Sequence, residues 1–300
     1  MIDLVVPFVD SKDQNWRALY TAYIHNSDLD SGRFRDTGLF KYFFRSLEKN
    51  LPWIDNIYLI VQSRSQVPSW LNLKHPKLKV VLHEDYIPKE YLPTFNSITI
   101  CSLLHLLKPL SNQFILADDD MIFVNPKRPE DFFRDGRPVT KKQILIKDYK
   151  RESGIWQSII YNSVKLFNQA CNTKKMIRYK DWHLPMVFCK SYIFECWSRF
   201  GHYLRDVLIS SKIRKSCNYC EWIFNYCQMY EGFSIDDQSI NTNGYLGLED
   251  NTSKEDIERI FESSDIVCLN DRCSKGVSRV FSYAEEILSE LYPDKCEFEI

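Results

Sequence analysis

Three carboxylates in succession, Asp118-Asp119-Asp120, follow directly on the apolar run Phe114-Ile115-Leu116-Ala117. Adjacent carboxylates repel one another, and ending a buried strand on them is costly unless a cation neutralises them. In open α/β sheets the carboxyl ends of the strands face the ligand crevice. Hard oxygen ligands in such a place suit a divalent cation, Mg2+ or Mn2+, bridging the oxygens of a diphosphate. If the strand continued through the triplet, Asp118 and Asp120 would share one face and Asp119 would take the other. The alternative is a solvated acidic turn. A second cluster, Arg33-Phe34-Arg35-Asp36 with Arg45 on the stretch that follows, offers forked donors that match phosphate oxygens, or else a set of surface ion pairs. Asp181-Trp182-His183-Leu184-Pro185 carries a side chain suited to accept a proton near neutral pH, although a lone histidine is more often structural. Ser211 to Arg214 is a further candidate phosphate clamp. Val267-Cys268-Leu269-Asn270-Asp271 repeats the pattern of an apolar run ending on a carboxylate, and Asp236-Asp237 reads as a loop pair.

The elements that would position these residues alternate through the first half. Ile2 to Val9, Asn56 to Gln62, Leu78 to His83 and Phe114 to Ala117 are apolar enough for buried strands. Trp16 to His25, Gly38 to Asn50 and Thr94 to Leu107 have helical spacing, the second with Leu39, Phe43 and Leu47 on one stripe. Pro52 and Pro109 stop the latter two. Asp28 to Thr37 reads as a loop. This alternation predicts an α/β fold with a mainly parallel central sheet flanked by helices. The second half reads as more helical, over Ser153 to Cys171, Ser191 to Ser210, Asn218 to Glu231 and Ser278 to Leu291. A polar and basic run, Gly136 to Lys150, is the candidate boundary.

The net charge of −1 gives no basic bias toward nucleic acid. With 9 glycines and 14% aromatics in 300 residues, the chain is neither disordered nor built around a glycine-rich nucleotide loop. Met1 to Asp10 lacks the basic start and the apolar length of a signal peptide. No stretch approaches the ~20 apolar residues of a membrane span. The ten cysteines are therefore expected as reduced thiols in cytoplasm. Cys217 and Cys220 form one CxxC, which leaves a zinc site with Cys268 and Cys273 open. The rival is burial as small hydrophobes within the aromatic stretch Tyr219 to Tyr230.

Taken together, the clusters resemble the Stealth family of hexose-1-phosphate transferases. It includes bacterial capsular polysaccharide phosphotransferases and the α/β subunits of animal N-acetylglucosamine-1-phosphotransferase. Its four blocks occur here in order. Ile2 to Asp10, with Asp13 and Trp16, resembles the first. Arg33-Phe34-Arg35-Asp36, Arg45-Ser46-Leu47-Glu48, Pro52-Trp53, Pro68-Ser69-Trp70-Leu71, Leu92-Pro93-Thr94-Phe95-Asn96-Ser97, the aspartate triplet and Pro129 to Phe133 resemble the second. His183-Leu184-Pro185 resembles the third, and Cys268 to Asp271 with Leu291 to Lys295 the fourth. The chain departs from the pattern at Val6-Pro7-Phe8, at Asp118 in place of Asn, at Arg272 in place of a second Asp, and at Asn218 in place of an acidic residue.

The resemblance implies one catalytic chain over 1–300. A nucleotide-sugar-binding half of GT-A or Rossmann-like type would span 1–135, and a helical half over 150–300 would complete the site. It implies transfer of a sugar-1-phosphate from a UDP-sugar to a hydroxyl of a glycan acceptor, with UMP released, in capsular or cell-surface polysaccharide synthesis. By matched position, Asp119, Asp120 and Asp271 would bind Mg2+ or Mn2+. Arg33, Arg45 and Arg214 would clamp the diphosphate, and His183 would be the general base. Asp10, Asp36 and Asn96 would help form the donor pocket. The acceptor would be a lipid-linked oligosaccharide at the inner face of the plasma membrane, where Lys174 to Lys180 could meet anionic headgroups or form a solvated basic face. A glycosyltransferase releasing UDP is the alternative, since residue types do not separate the two chemistries.

Overall fold

A computed structural model describes residues 1–24, 32–145, 154–274 and 279–300. Part of the expected Asp28 to Thr37 loop, the end of the Gly136 to Lys150 boundary, and the expected helix starts at Ser153 and Ser278 lie outside the described residues.

The elements run β1 (Ile2–Pro7), α1 (Gln14–Tyr23), α2 (Phe40–Asn50), β2 (Ile57–Val61), β3 (Leu78–Leu82), α3 (His83–Tyr86), α4 (Ser97–Ser102), β4 (Gln113–Leu116), β5 (Met121–Phe123), β6 (Phe133–Arg134) and β7 (Arg137–Thr140). They continue with α5 (Ile155–Ala170), β8 (Met186–Cys189), α6 (Lys190–Ser210), α7 (Trp222–Tyr230), β9 (Ile235–Asp236), β10 (Tyr245–Leu248), α8 (Lys254–Ser263), β11 (Ile266–Asp271) and α9 (Arg279–Leu291). The central sheet has the order β3-β2-β1-β4-β8. Its first four strands are parallel, and β8 closes the edge antiparallel to β4. This is the expected α/β class, and the order β3-β2-β1-β4 is that of a doubly wound sheet.

Both faces of β1 and β2 are covered, so the two strands are apolar almost throughout. Asp3 is the exception in β1. Its buried carboxylate accepts from Asn56 Nδ2 at 2.9 Å and from the Ser111 amide at 2.7 Å, which satisfies it. The stripe on α2 packs Phe43, Phe44 and Leu47 against the sheet. The main core runs from Ile2 and Leu4 through Phe114, Phe167 and Phe188 to Phe298, with residues of both halves of the chain, beside two smaller apolar clusters.

Two expectations change and one is extended. The helix expected over Thr94 to Leu107 is the short α4 followed by a 3₁₀ turn, Leu104–Leu106. Asn96 caps α4, its side chain accepting from the Ile98 amide, so Thr94 to Asn96 stay outside the helix. The second half is the more helical one, as expected, but it also carries β8 to β11, of which β8, β9 and β10 are too short for period-two patterning to stand out. One of them, β8, is an edge of the first half's own sheet. Finally, β10-β11-β5 form a second sheet, so the residues just beyond the aspartate triplet pair with the segment that ends at Asp271.

Candidate active site

Connections leave β1 toward β2 on one side, while β4 lies on the other. The crevice outside the carboxyl ends of these two strands is therefore a topological switch point. A cavity of about 550 Å³ opens there, bordered by Phe8 beyond β1 and by Asp118, Asp119 and Asp120 beyond β4.

The strand does not continue through the triplet. Its bonding to β1 ends with the Ala117 amide on the Val5 carbonyl at 3.0 Å, and the Met121 amide then turns back to the Asp118 carbonyl at 3.3 Å. The turn replaces the alternation expected for a strand, and all three carboxylates border the same cavity. Asp120 is fixed best. Its carboxylate takes Asn270 Nδ2 at 3.3 Å and Cys268 Sγ at 3.4 Å, and its carbonyl takes the Leu269 amide at 2.9 Å. The three carboxyls are open to the cavity, yet protein surrounds them on their other sides. Burial first, and then repulsion from Asp120 and Glu221, raise the pKa of Asp118 against the pull of Arg214. Asp119 is pushed well up by burial, then by Asp120, Asp118 and Asp36. Asp120 also sits above its ordinary value, chiefly by burial, despite its two hydrogen bonds. The net direction is up for all three, so the neighbouring cations leave the cluster's charge uncompensated.

That charge and the all-oxygen donor set fit a hard divalent cation. Among the described residues no three His, Cys, Asp or Glu side chains stand together as a ready metal cage. Mg2+ needs none, since it commonly takes one or two carboxylates and completes its shell with water and substrate phosphate. Asp271, expected as a further ligand, borders the same cavity and its charge helps raise the pKa of Asp120, but its carboxylate already has partners. Its Oδ2 pairs with Arg35 Nη1 at 3.3 Å and its Oδ1 accepts from the Cys273 amide at 2.9 Å. Gly32 makes this approach possible, because a Cβ there would lie 2.7 Å from the Asp271 carbonyl oxygen.

The cationic side is supplied from two directions. Arg33 borders the cavity with its guanidinium 5.3 Å from the Phe34 ring centroid, and Asp36, beside it, accepts from the Gly38 amide at 2.8 Å. From across the cavity Arg214 donates to Ser97 Oγ at 2.6 Å and lies 5.3 Å from the Trp156 ring. Arg45 is not there. It makes a two-pronged pair with Glu299, Nε to Oε1 at 2.6 Å and Nη2 to Oε2 at 2.8 Å, and also donates to the Tyr292 carbonyl. It pins residues 296–300 to α2 and is no phosphate clamp. Asn96 is fully buried and bonds the Ser211 carbonyl and Asn218 Oδ1, both at 3.2 Å. It therefore steadies the loop that carries Arg214 rather than bordering the cavity. Asp10 also lies off the cavity wall, its carboxylate accepting from the Lys12 amide at 2.8 Å.

His183 forms the remaining wall. Its imidazole stacks on Tyr245 with centroids 4.1 Å apart and meets Trp222 edge-on at 5.8 Å. Burial, then the charge of Arg272, lower its pKa, so it is neutral at neutral pH. Arg272 lies over the Tyr245 ring at 5.6 Å, and a Cβ on Gly247 would come 2.7 Å from its Cδ. Tyr245, Trp222 and Trp156 were not singled out from the sequence. Aromatics at helix and strand spacing read as core, and no local signal distinguishes a ring that backs a cavity. Cys217 and Cys220 do not converge: the first is exposed beside Ser211, the second buried with its thiol toward Glu221.

Residues 33–140 match the family model described as Stealth protein CR2, conserved region 2. The chain is similar to capsular polysaccharide phosphotransferase WcwK of Streptococcus pneumoniae, 31% identical over 99% of this chain and 98% of that protein. It is also similar to receptor polysaccharide phosphotransferase WefC of Streptococcus gordonii, 30% identical over 100% of this chain and 99% of that protein. Among solved structures it is similar to the galactosyltransferase LgtC in complex with donor and acceptor sugar analogs, with 10% identity, a TM-score of 0.46, and coverage of 97% of this chain and 95% of that one.

Proposed function

The chain belongs to the Stealth family of polysaccharide phosphotransferases, and from that premise we propose that it transfers a sugar-1-phosphate from a UDP-sugar to a hydroxyl of a glycan acceptor, releasing UMP. One observation carries the reading: a single cavity unites carboxylates of uncompensated charge, arginines from two directions and a neutral histidine.

The chemistry follows from those parts. His183 takes the acceptor hydroxyl proton on an imidazole nitrogen, which its lowered pKa leaves free at neutral pH. The acceptor oxygen bonds to the phosphorus that bears the sugar. The bond from that phosphorus to the bridging oxygen breaks, and UMP departs with the electron pair. Arg33 and Arg214 hold the phosphate oxygens in line with the attack and stabilise the charge that develops on them. Asp119 and Asp120 would hold Mg2+ or Mn2+, which supplies neutralisation of the diphosphate when bound. Asp36 borders the same cavity and adds to the negative field at Asp119 that the cation would offset.

The acceptor in this proposal is a lipid-linked oligosaccharide presented at the inner face of the plasma membrane, with the protein bound peripherally. No helix among the described residues is long and apolar enough to cross a membrane. Lys174 and Lys175 are exposed, as headgroup contact requires.

The test is to incubate the protein with Mg2+, a panel of UDP-hexoses and an oligosaccharide acceptor, and to weigh the released nucleotide by mass spectrometry. UMP formed only when acceptor is present is the expected result. UDP would overturn the proposal and make the chain a glycosyltransferase.

A further inference from the structure

The loop that carries His183 is tied down on two sides. On one side it is stitched to the segment after β7: the Lys180 amide donates to the Gln143 carbonyl at 2.8 Å and Trp182 Nε1 to the Lys141 carbonyl at 3.1 Å. On the other side Asp181, two residues before His183 and with only 10% of its side chain exposed, accepts a hydrogen bond from the Tyr226 hydroxyl and pairs with Arg178 Nη2 at 3.2 Å. Tyr226 is on α7, one helical turn after Trp222, so the two share a face. Trp222 is the ring that meets the His183 imidazole edge-on. The helix that grips the loop through Tyr226 therefore also backs the imidazole. Tyr226 is itself locked by packing on Phe167 at 5.7 Å and Tyr179 at 6.0 Å.

We infer that Asp181 and Tyr226 form a positioning pair that holds the His183 loop against α7 and fixes the imidazole between Tyr245 and Trp222. Burying a carboxylate beside a catalytic loop is unfavourable unless it is fully bonded. Here one bond runs to the helix that shapes the site and the other to Arg178 in the same segment. The pair touches no reacting atom. It acts through His183, so its importance for turnover rests on the general-base reading, while its effect on the imidazole does not.

Tyr226→Phe keeps the ring packing and the net charge and removes only the tether. In this variant His183 is expected to gain solvent, and its titration, followed by NMR through the resonance absent from His183→Gln, should move up toward the ordinary histidine value of about 6.5. Turnover should fall about 100-fold at unchanged donor KM, since small displacements of a catalytic group have effects of that order. Asp181→Leu removes the same link together with the Arg178 pair, so its combination with Tyr226→Phe should lose clearly less than the product of the two single losses. Tyr192→Phe serves as control. It removes a hydroxyl bond to Glu231, next to the far end of α7, and should leave both readouts unchanged. A His183 titration in Tyr226→Phe that coincides with wild type would overturn the inference, whether or not UMP release is observed. A shifted titration with no UMP release from any variant would leave the positioning pair standing and remove the phosphotransfer proposal.

Discussion

The floor and the side wall of the cavity respond to burial in the same way and with opposite consequences. Burial favours the neutral form of any titratable group. On the floor it pushes Asp118, Asp119 and Asp120 toward protonation, and their mutual repulsion pushes them further. On the wall it pushes His183 toward deprotonation, and Arg272 adds to that. The neutral histidine is already in the form a general base needs. The carboxylates are not in the form a phosphate site needs until positive charge reaches them. Under the proposed function the two walls thus differ in what they lack: the histidine is ready as folded, and the carboxylates need a cation.

The sharpest break between them comes from His183→Ala. General-base catalysis contributes roughly 10²- to 10⁴-fold, so turnover should fall by at least the lower figure while donor affinity, measured by calorimetry in Mg2+, stays at the wild-type value. Near-normal turnover would dissociate the wall from the chemistry. On the floor, Asp119→Asn and Asp120→Asn should each lose about 100-fold in turnover, but here donor affinity in Mg2+ should fall as well. Affinity measured without divalent cation should not fall. If the asparagine variants bind donor in Mg2+ as wild type does, the floor is not the cation site.

How far these walls were legible in the sequence follows the same division. The floor announces itself locally, because three carboxylates after an apolar run are anomalous wherever they occur, and the parallel sheet beneath them shows in the alternation of apolar strands and striped helices. The wall depends on contacts between segments far apart in the chain. His183 meets Tyr245 and Trp222 only through tertiary packing, and β8, which brings that region to the sheet, is four residues long. Arginines mislead for the same reason. Arg33 and Arg45 are equally plausible phosphate clamps as residues, but Glu299 lies 254 positions away from Arg45 and claims it.

Arg45 therefore offers a contrast with both walls. Its pair with Glu299 is nearly buried, with side-chain exposures of 11% and 4%. Arg45→Met leaves Glu299 unpaired, and removing one member of a buried pair costs about 3 kcal/mol. Thermal or urea unfolding should register that loss, with turnover per folded molecule unchanged. A loss of donor affinity without a loss of stability would return Arg45 to the site.

The smallest expected effect is the one most specific to the floor. Asp118 ionises in the folded protein at a higher pH than in the unfolded chain, where an aspartate titrates near 3.9. Below that unfolded value both states hold the proton and the group has no influence on stability. As pH rises through the folded value, the folded state is forced to carry a charge that the unfolded state carries more easily, and stability is lost. Metal-free protein should therefore melt at progressively lower temperature between about pH 4 and the range above the folded value. Asp118→Asn removes this contribution without changing shape. Its melting curve should match wild type near pH 4 and lie above it at pH 8, by a small margin because Asp118 is exposed at the cavity and solvent screens its charge. Added Mg2+ should narrow the gap, because neutralising the floor removes the repulsion that the substitution relieves. An Asp118→Asn protein that melts with wild type across the whole range would mean that the floor carries no uncompensated charge, and the contrast with the histidine wall would disappear with it.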